Sequence, residues 1–199
     1  MSDICKIFIK VNENGKHPVA ASIGSAGLDL FATENMVIKP GETKVMPLNF
    51  SIALPDNCEA QLRPRSGLSL KTNLRMANSP GTIDTDFRGI VGVILENNYN
   101  VANLPYKLID NPELQKKIKI TDLANCLEQN LWNFNFIFKY IPIFLDEKDN
   151  PYGTIYIEKG MRIGQMIVAE YKKVIFIDCE DPSQIGNDRK GGFGSTGVK

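Results

Sequence analysis

Short apolar runs closed by turn residues fill the first half of the chain: "ICKIFIKV" runs into "NENGK", "MVIK" into "PGE" and "SIALP" into "DN". That punctuation predicts strands. "VMPLNFSIAL" alternates between apolar and polar positions as a half-buried strand does, whereas "GIVGVIL" (residues 89–95) is apolar on both faces. The latter predicts a strand buried from both sides, as in a sandwich or barrel interior. "GTIYIE", "RIGQMIVAEY" and "VIFI" repeat the strand signal later in the chain. The expected framework is all-β.

One region departs from it. Asn111, Pro112 and Glu113 read as an N-cap, a proline at the first helical position and an acidic first turn. Ile120, Leu123, Leu127, Leu131 and Phe134 then recur at helical spacing, and "WNFNFIFKY" places aromatics at 132, 134, 136, 138 and 140, which is strand alternation. Phe134 serves both patterns, so the boundary between helix and strand stays open. The sequence therefore predicts a single domain over 1–199 carrying a partly helical insertion at about 98–149. A connection that long usually has structure or function of its own.

Composition narrows the function classes. With 199 residues the chain can bury a sizeable core, and its 43% hydrophobic content fits a globular protein. Lys and Arg number 23, as do Asp and Glu, so no net field recruits nucleic acid or an anionic membrane. "MSDICKIFIK" lacks the basic and apolar regions of a signal peptide, and no run approaches a membrane span. Cys5, Cys58, Cys126 and Cys179 are too far apart for a CxxC motif, so buried reduced thiols in an intracellular protein, cytoplasmic or nuclear, are expected. The single histidine, His17, lies in "NGKHPV", a surface turn rather than a catalytic triad.

Chemistry concentrates in a few stretches. "PRSGLSLKTNL" sets Arg65, Ser66 and Gly67 before a possible short helix, where Ser66 either caps the helix or meets a phosphate. In "GTIDTDFRG", Asp84 and Asp86 bracket Thr85 at a tight turn expected to hold Asp84 beside the core, where a carboxylate can orient water as a base or simply serve the turn. Phe87 is either core or a surface for a flat or sugar-like ligand. Asp29 in "SAGLDL" needs a partner if buried, and Arg65 is the candidate; Arg162 and Gln165 are polar positions in "KGMRIGQM". At the end of the chain, "RKGGFGSTGVK" spells G-x-G-x-x-G at Gly192, Gly194 and Gly197 with only Val198 and Lys199 after it. No helix can follow, so a dinucleotide loop is excluded. A solvated Gly/Ser tail would not need Phe193.

In succession, A-G-x-D-L, P-R-S-G-L, G-x-I-D-x-D-[YF]-x-G, R-I-x-Q-[LM] and G-G-F-G-S-T-G resemble the five motifs of the homotrimeric dUTP pyrophosphatases (dUTPases). The resemblance covers 1–97 and about 150–199. It implies a jelly-roll-like distorted β-barrel, a homotrimer with active sites shared between subunits, and hydrolysis of dUTP to dUMP and pyrophosphate by Mg2+-assisted water attack on the α-phosphorus. It further implies that Asp84 orients the water and that Arg65, Ser66, Gly67 and Gln165 meet the phosphates. Asn78, Gly81, Ile83 and Phe87 would read uracil and deoxyribose. A mobile arm at 186–199 would carry Arg189, Phe193, Gly194, Ser195 and Thr196 over a neighbouring site, with glycines permitting close approach to phosphate. Asp29 and Arg162 take supporting places, and no side chain is assigned as a metal ligand, since Mg2+ would be held mainly by the substrate phosphates.

Position 87 holds Phe where the family usually has Tyr, and "DRKGGFG" brings Arg189 one residue closer to Phe193 than the usual fifth motif. The insertion stands outside the resemblance; it either covers the trimer exterior, extends a subunit interface or binds another protein through Trp132, Phe136 and Tyr140, with structural packing the preferred reading. Two competing readings remain: a catalytically silent relative that binds nucleotide, and a dCTP deaminase of the same fold. Asp84, Ser66 and Gln165 argue against the first, and the hydrolase-type third motif against the second.

Overall fold

The computed structural model describes residues 4–122 and 141–187. Strands β1 (Phe8–Val11), β2 (Val19–Ala20), β3 (Leu28–Phe31), β4 (Met36–Ile38), β5 (Thr43–Pro47), β6 (Phe50–Ala53) and β7 (Cys58–Arg63) lead into a short helix α1 (Ser66–Lys71). Then come β8 (Leu74–Met76), β9 (Gly81–Ile83), β10 (Gly92–Asn97), helix α2 (Leu104–Asp110), β11 (Lys119–Asp122), β12 (Pro142–Leu145), β13 (Ile155–Ile157) and β14 (Arg162–Glu170). All pairings between these strands are antiparallel. The largest sheet runs β2-β3-β14-β7-β9, a second runs β5-β10-β8, and β1-β6, β13-β4 and β11-β12 are two-stranded. The expected all-β, jelly-roll-like framework is present.

Alternation explains how the sheets close on one core. In β7, Cys58, Ala60 and Leu62 are buried while Glu59 and Gln61 are half-buried and Arg63 is exposed. Leu30, Ile38, Met46, Phe50, Leu74, Val93, Leu95, Ile157 and Ile163 complete the interior from the other strands. Each such large side chain contributes about 1.5–3 kcal/mol on burial. Buried Asn97 secures the point where the middle segment leaves and returns. Its amide donates to Ile38 O and Gly153 O, both at 2.9 Å, and its Oδ1 accepts from Tyr99 N at 3.0 Å. Gly153, at φ 92°, is required there because a Cβ would strike the Tyr99 ring.

Several expectations are corrected. "VMPLNFSIAL" is two strands, broken at Asn49, whose φ of 54° turns the chain. β10 buries Val93, Leu95 and Asn97, but its other face is only half-buried and Ile90 is 52% exposed. The Asn111–Pro112–Glu113 signal opens a 3-10 turn, Pro112–Lys117, with no side-chain cap, rather than an α-helix, and α2 precedes it. Ile120 lies in β11, where "IKIT" offers β-branched side chains that favour extended backbone. The rest of the helical stripe (Leu123, Leu127, Leu131, Phe134) and the aromatics at 132–140 lie outside the described residues. "VIFI" carries no regular secondary structure and no strand pairing among the described residues, with Val174, Ile175, Phe176 and Ile177 between 70% and 92% exposed. Cys58 is buried, as expected, but Cys5 and Cys179 are exposed. His17 is an exposed loop residue. No helix among the described residues is long and apolar enough to cross a membrane.

Candidate functional site

The C-terminal end of β7 gathers the charged residues. Arg63 closes the strand, and α1 starts with Arg65 as its N-cap at φ −93°, ψ 129°. Ser66 is therefore the first helical residue and not the cap, which leaves its exposed hydroxyl without an intrachain hydrogen bond among the described residues. Asp29, on β3, has a side chain only 13% exposed, and its charge is matched twice. Arg65 Nε donates to Oδ1 at 2.9 Å and Arg162 Nη1 donates to Oδ2 at 3.1 Å. One carboxylate thus neutralises half of two guanidinium charges and fixes their direction, leaving a net positive rim.

Gln165 lies between these groups by register, opposite Asp29 on β3 and Arg63 on β7. Its amide donates to Pro64 O at 3.0 Å. Gly27 makes room for it: a Cβ at that position would run into Gln165 Oε1. In front of Arg65 and Arg162 is an open depression of about 390 Å³, lined also by Gly67, Leu68, Lys71, Thr72 and Met161. Three cations around a shallow, glycine-floored shelf suit an anion such as a phosphate chain. Lys71 was not singled out from the sequence, although it lies in the "PRSGLSLK" stretch.

The second group of predicted residues follows β8. Asn78 is exposed in the turn before the cis Ser79–Pro80 peptide. Gly81 is buried, and a Cβ there would press on the Asn78 amide at 3.1 Å, so the glycine lets that side chain fold over the turn. Ile83 is buried and Asp84 is exposed, which corrects the expectation of a carboxylate held against the core. Phe87 N donates to Asp84 O at 3.1 Å, closing the turn, and Phe87 itself is 38% exposed. The Asp84 carboxylate has no hydrogen-bond or ion-pair partner among the described residues.

Asp84 and Ser66 stand at opposite ends of one strand, with Gly81 beside Leu62 near the Ser66 end. Leu62 faces Gly81 and Ala60 faces Ile83 across the β7–β9 ladder, while Thr85 Oγ1 bonds Cys58 O. Asp84 therefore falls at the Cys58 end and Ser66 beyond the Arg63 end, a separation of roughly 20 Å at the rise of an extended strand. A single chain brings together Asp29, Arg65, Ser66, Gly67, Arg162 and Gln165; Asn78, Gly81, Ile83, Asp84 and Phe87 follow along β9 and its flanking turns, from Gly81 beside Leu62 to Asp84 past Ala60. Arg189, Phe193, Gly194, Ser195 and Thr196 lie outside the described residues. A larger depression, of about 480 Å³, contains Cys5, Cys58 and Glu170 but none of the predicted site residues. Burial pushes the Cys58 thiol up from its ordinary pKa, and the neighbouring Cys5 thiol adds to the shift.

No His, Cys, Asp or Glu side chains cluster as a metal cage among the described residues. Asp29, the carboxylate nearest the shelf, is already occupied by two arginines. A hard cation arriving here would take its oxygen ligands from a bound phosphate chain and water.

Known proteins share both sequence and fold with this chain. The family model described as dUTPase matches residues 13–103. A deoxyuridine 5'-triphosphate nucleotidohydrolase of Rickettsia felis is 36% identical over 98% of this chain and 99% of its own length. One from Clostridium tetani is 32% identical over 94% of this chain and 92% of its own. The aligned span in these relatives includes the middle segment, which the five-motif resemblance left unmatched. Among solved structures, a mutant dUTPase of Staphylococcus bacteriophage 80alpha with dUpNHpp superposes with a TM-score of 0.69 at 25% identity, covering 97% of this chain and 99% of that one. The dUTPase of phage phi11 of S. aureus, described with a species-specific insert, reaches 0.63 at 22% identity and covers 88% and 97%.

Proposed function

The chain belongs to the dUTPase family, and from that premise we propose that it hydrolyses dUTP to dUMP and pyrophosphate. The observation that carries the reading is the preset shelf at the end of β7 and β14, where Asp29 aims Arg65 and Arg162 and Gln165 is locked between strands. Phosphoryl chemistry asks a protein mainly for positioning and charge neutralisation, and this end supplies both. Ser66, Gly67, Arg65 and Gln165 bind the triphosphate, with Arg162 in support. Asn78, Gly81, Ile83 and Phe87 hold uracil and deoxyribose, the ring of Phe87 packing without a hydroxyl. Asp84 accepts a proton from the water that attacks the α-phosphorus; the bond from that phosphorus to the bridging oxygen breaks and pyrophosphate leaves. Mg2+, held mainly by the substrate rather than by side chains of this chain, would supply further charge neutralisation.

Asp84 serves the shelf of a neighbouring copy. Its distance along β7 from Ser66 supports that reading, and so does the exposed apolar segment at 174–177, β-branched and aromatic and without a strand partner among the described residues, of the kind that adds to another chain. The assembly is a homotrimer with shared sites, closed by the glycine-rich segment carrying Arg189, Phe193, Gly194, Ser195 and Thr196. With dUTP as substrate, the place of action is intracellular, cytoplasmic or nuclear.

The test is pyrophosphate release with Mg2+ from dUTP, dTTP, dCTP and UTP in parallel, together with the mass of the species in solution. Turnover of dUTP alone by a trimer is expected. Binding of dUTP without turnover would instead identify a silent nucleotide-binding relative.

A further inference from the structure

The turn that carries Asp84 is held by a side chain that the motif leaves unspecified. Thr85 Oγ1 donates to Cys58 O at 2.7 Å and lies 3.2 Å from Tyr171 Oη. A hydroxyl has one proton, and Thr85 gives it to the carbonyl, so in the second contact Tyr171 donates and Thr85 accepts. Tyr171 is the first residue after β14 and continues the β14–β7 ladder, its N donating to Asn57 O at 2.9 Å. Arg88 fixes the same turn from the other side, Nη1 donating to Thr85 O at 2.6 Å and to Phe87 O at 2.8 Å. Asp84 itself is exposed and without a partner among the described residues, so its direction is set by the backbone of this turn.

We infer that Thr85, held in turn by Tyr171, is a positioning residue: its hydroxyl anchors the Asp84 turn to the edge of β7 and so aims the carboxylate at the attacking water. The inference rests on Asp84 as the water-orienting base. Because Tyr171 opens the exposed stretch at 172–177 that follows β14, the anchor also ties the aim of the base to the end of the β14–β7 ladder.

A positioning role predicts a loss in kcat with little change in KM, because the base acts only in the transition state. In Thr85→Val the shape stays but both hydrogen bonds go, and kcat for dUTP should fall about 10- to 100-fold, as for a reacting group displaced by about an ångström. Thr85→Ser keeps the hydroxyl and should restore most of the rate. Tyr171→Phe removes only the outer bond and should lower kcat a few-fold, roughly the effect of one neutral hydrogen bond. Asp84→Asn is measured beside them, with binding of a non-hydrolysable dUTP analogue as a check on the folded site. If Asp84→Asn is inactive and Thr85→Val keeps wild-type kcat, or Thr85→Ser fails as badly as Thr85→Val, the positioning role is overturned while the base stands. A raised KM at constant kcat would also overturn it. Substantial turnover by Asp84→Asn would overturn the base and this inference with it. Should Thr85→Val not fold, the kcat of Thr85→Ser and Tyr171→Phe decides: full wild-type kcat in Tyr171→Phe together with loss in Thr85→Ser contradicts the anchor.

Discussion

The two ends of β7 hold carboxylates in opposite ways. At the Arg63 end, Asp29 is nearly buried and each of its oxygens receives a guanidinium. At the Cys58 end, Asp84 is exposed, and only its backbone is tied down. Removal from water obliges a carboxylate to take partners, and those partners then occupy the lone pairs that chemistry would use. The first carboxylate is thus part of the scaffold that aims cations, and the second keeps its lone pairs free, as the proposed base would need. On the proposed reading, their separation along one strand places triphosphate binding and water activation at different parts of one chain's surface.

The sharpest way to break the contrast is Asp84→Asn, which should lower kcat by about 10² to 10⁴ while leaving analogue binding near normal. Near-normal turnover would mean that the free carboxylate is an ordinary turn residue. At the other end, Asp29→Ala should act through binding. It leaves Arg65 and Arg162 without their common acceptor, so KM for dUTP should rise about tenfold and the melting transition should fall by an amount matching about 1–3 kcal/mol. A kcat loss without a KM change would erase the distinction between the two ends. Smaller still is Gly27→Ala: the added methyl meets the flexible end of Gln165, so the fold should yield at little cost in stability. Displacing that amide from Pro64 should nonetheless lower kcat/KM roughly 3- to 10-fold.

The smallest effect belongs to a carboxylate at neither end. Asp146 combines both manners: burial alone would raise its pKa, yet hydrogen bonds from Tyr156 Oη and from the backbone N–H groups of Asn150 and Lys148 hold it below its ordinary value. A depressed carboxylate stabilises the fold above its unfolded pKa of ~4, and that contribution is lost as pH falls through the lower folded value. Asp146→Asn should therefore flatten the acid limb of the stability curve and leave dUTP turnover unchanged. An unaltered acid limb would show that these bonds do not distinguish the charged form.

Much of this was legible in the chain because local rules and the fold agree. The pairing of Asp29 with Arg65 follows from one buried charge needing another, and β1, β6 and β14 follow from the apolar runs in "ICKIFIKV", "SIALP" and "RIGQMIVAEY". Where local cues compete, the reading failed. Asn111–Pro112 is a good helix opening, but the β-branched run behind it belongs to a strand, and the turn stays short. Ser66 has the composition of a cap but is one residue too late, since Arg65 already takes the extended backbone that a cap requires. The apolar segment at 174–177 reads as a strand yet has no partner among the described residues, because apolarity alone does not supply a neighbouring edge. Thr85 was passed over because its importance lies in a bond to Cys58, 27 positions earlier, which no local pattern records.

The distance between Asp84 and Ser66 along β7 has a genetic consequence. On the shared-site reading, a chain that has lost its base still lends a sound phosphate shelf, and a chain that has lost its shelf still lends a sound base. Two alleles that are each null would then complement one another when co-expressed, since mixed assemblies contain some sites built from the intact halves. Conversely, an Asp84→Asn allele in a wild-type background would be partly dominant, silencing sites on chains that carry no mutation at all.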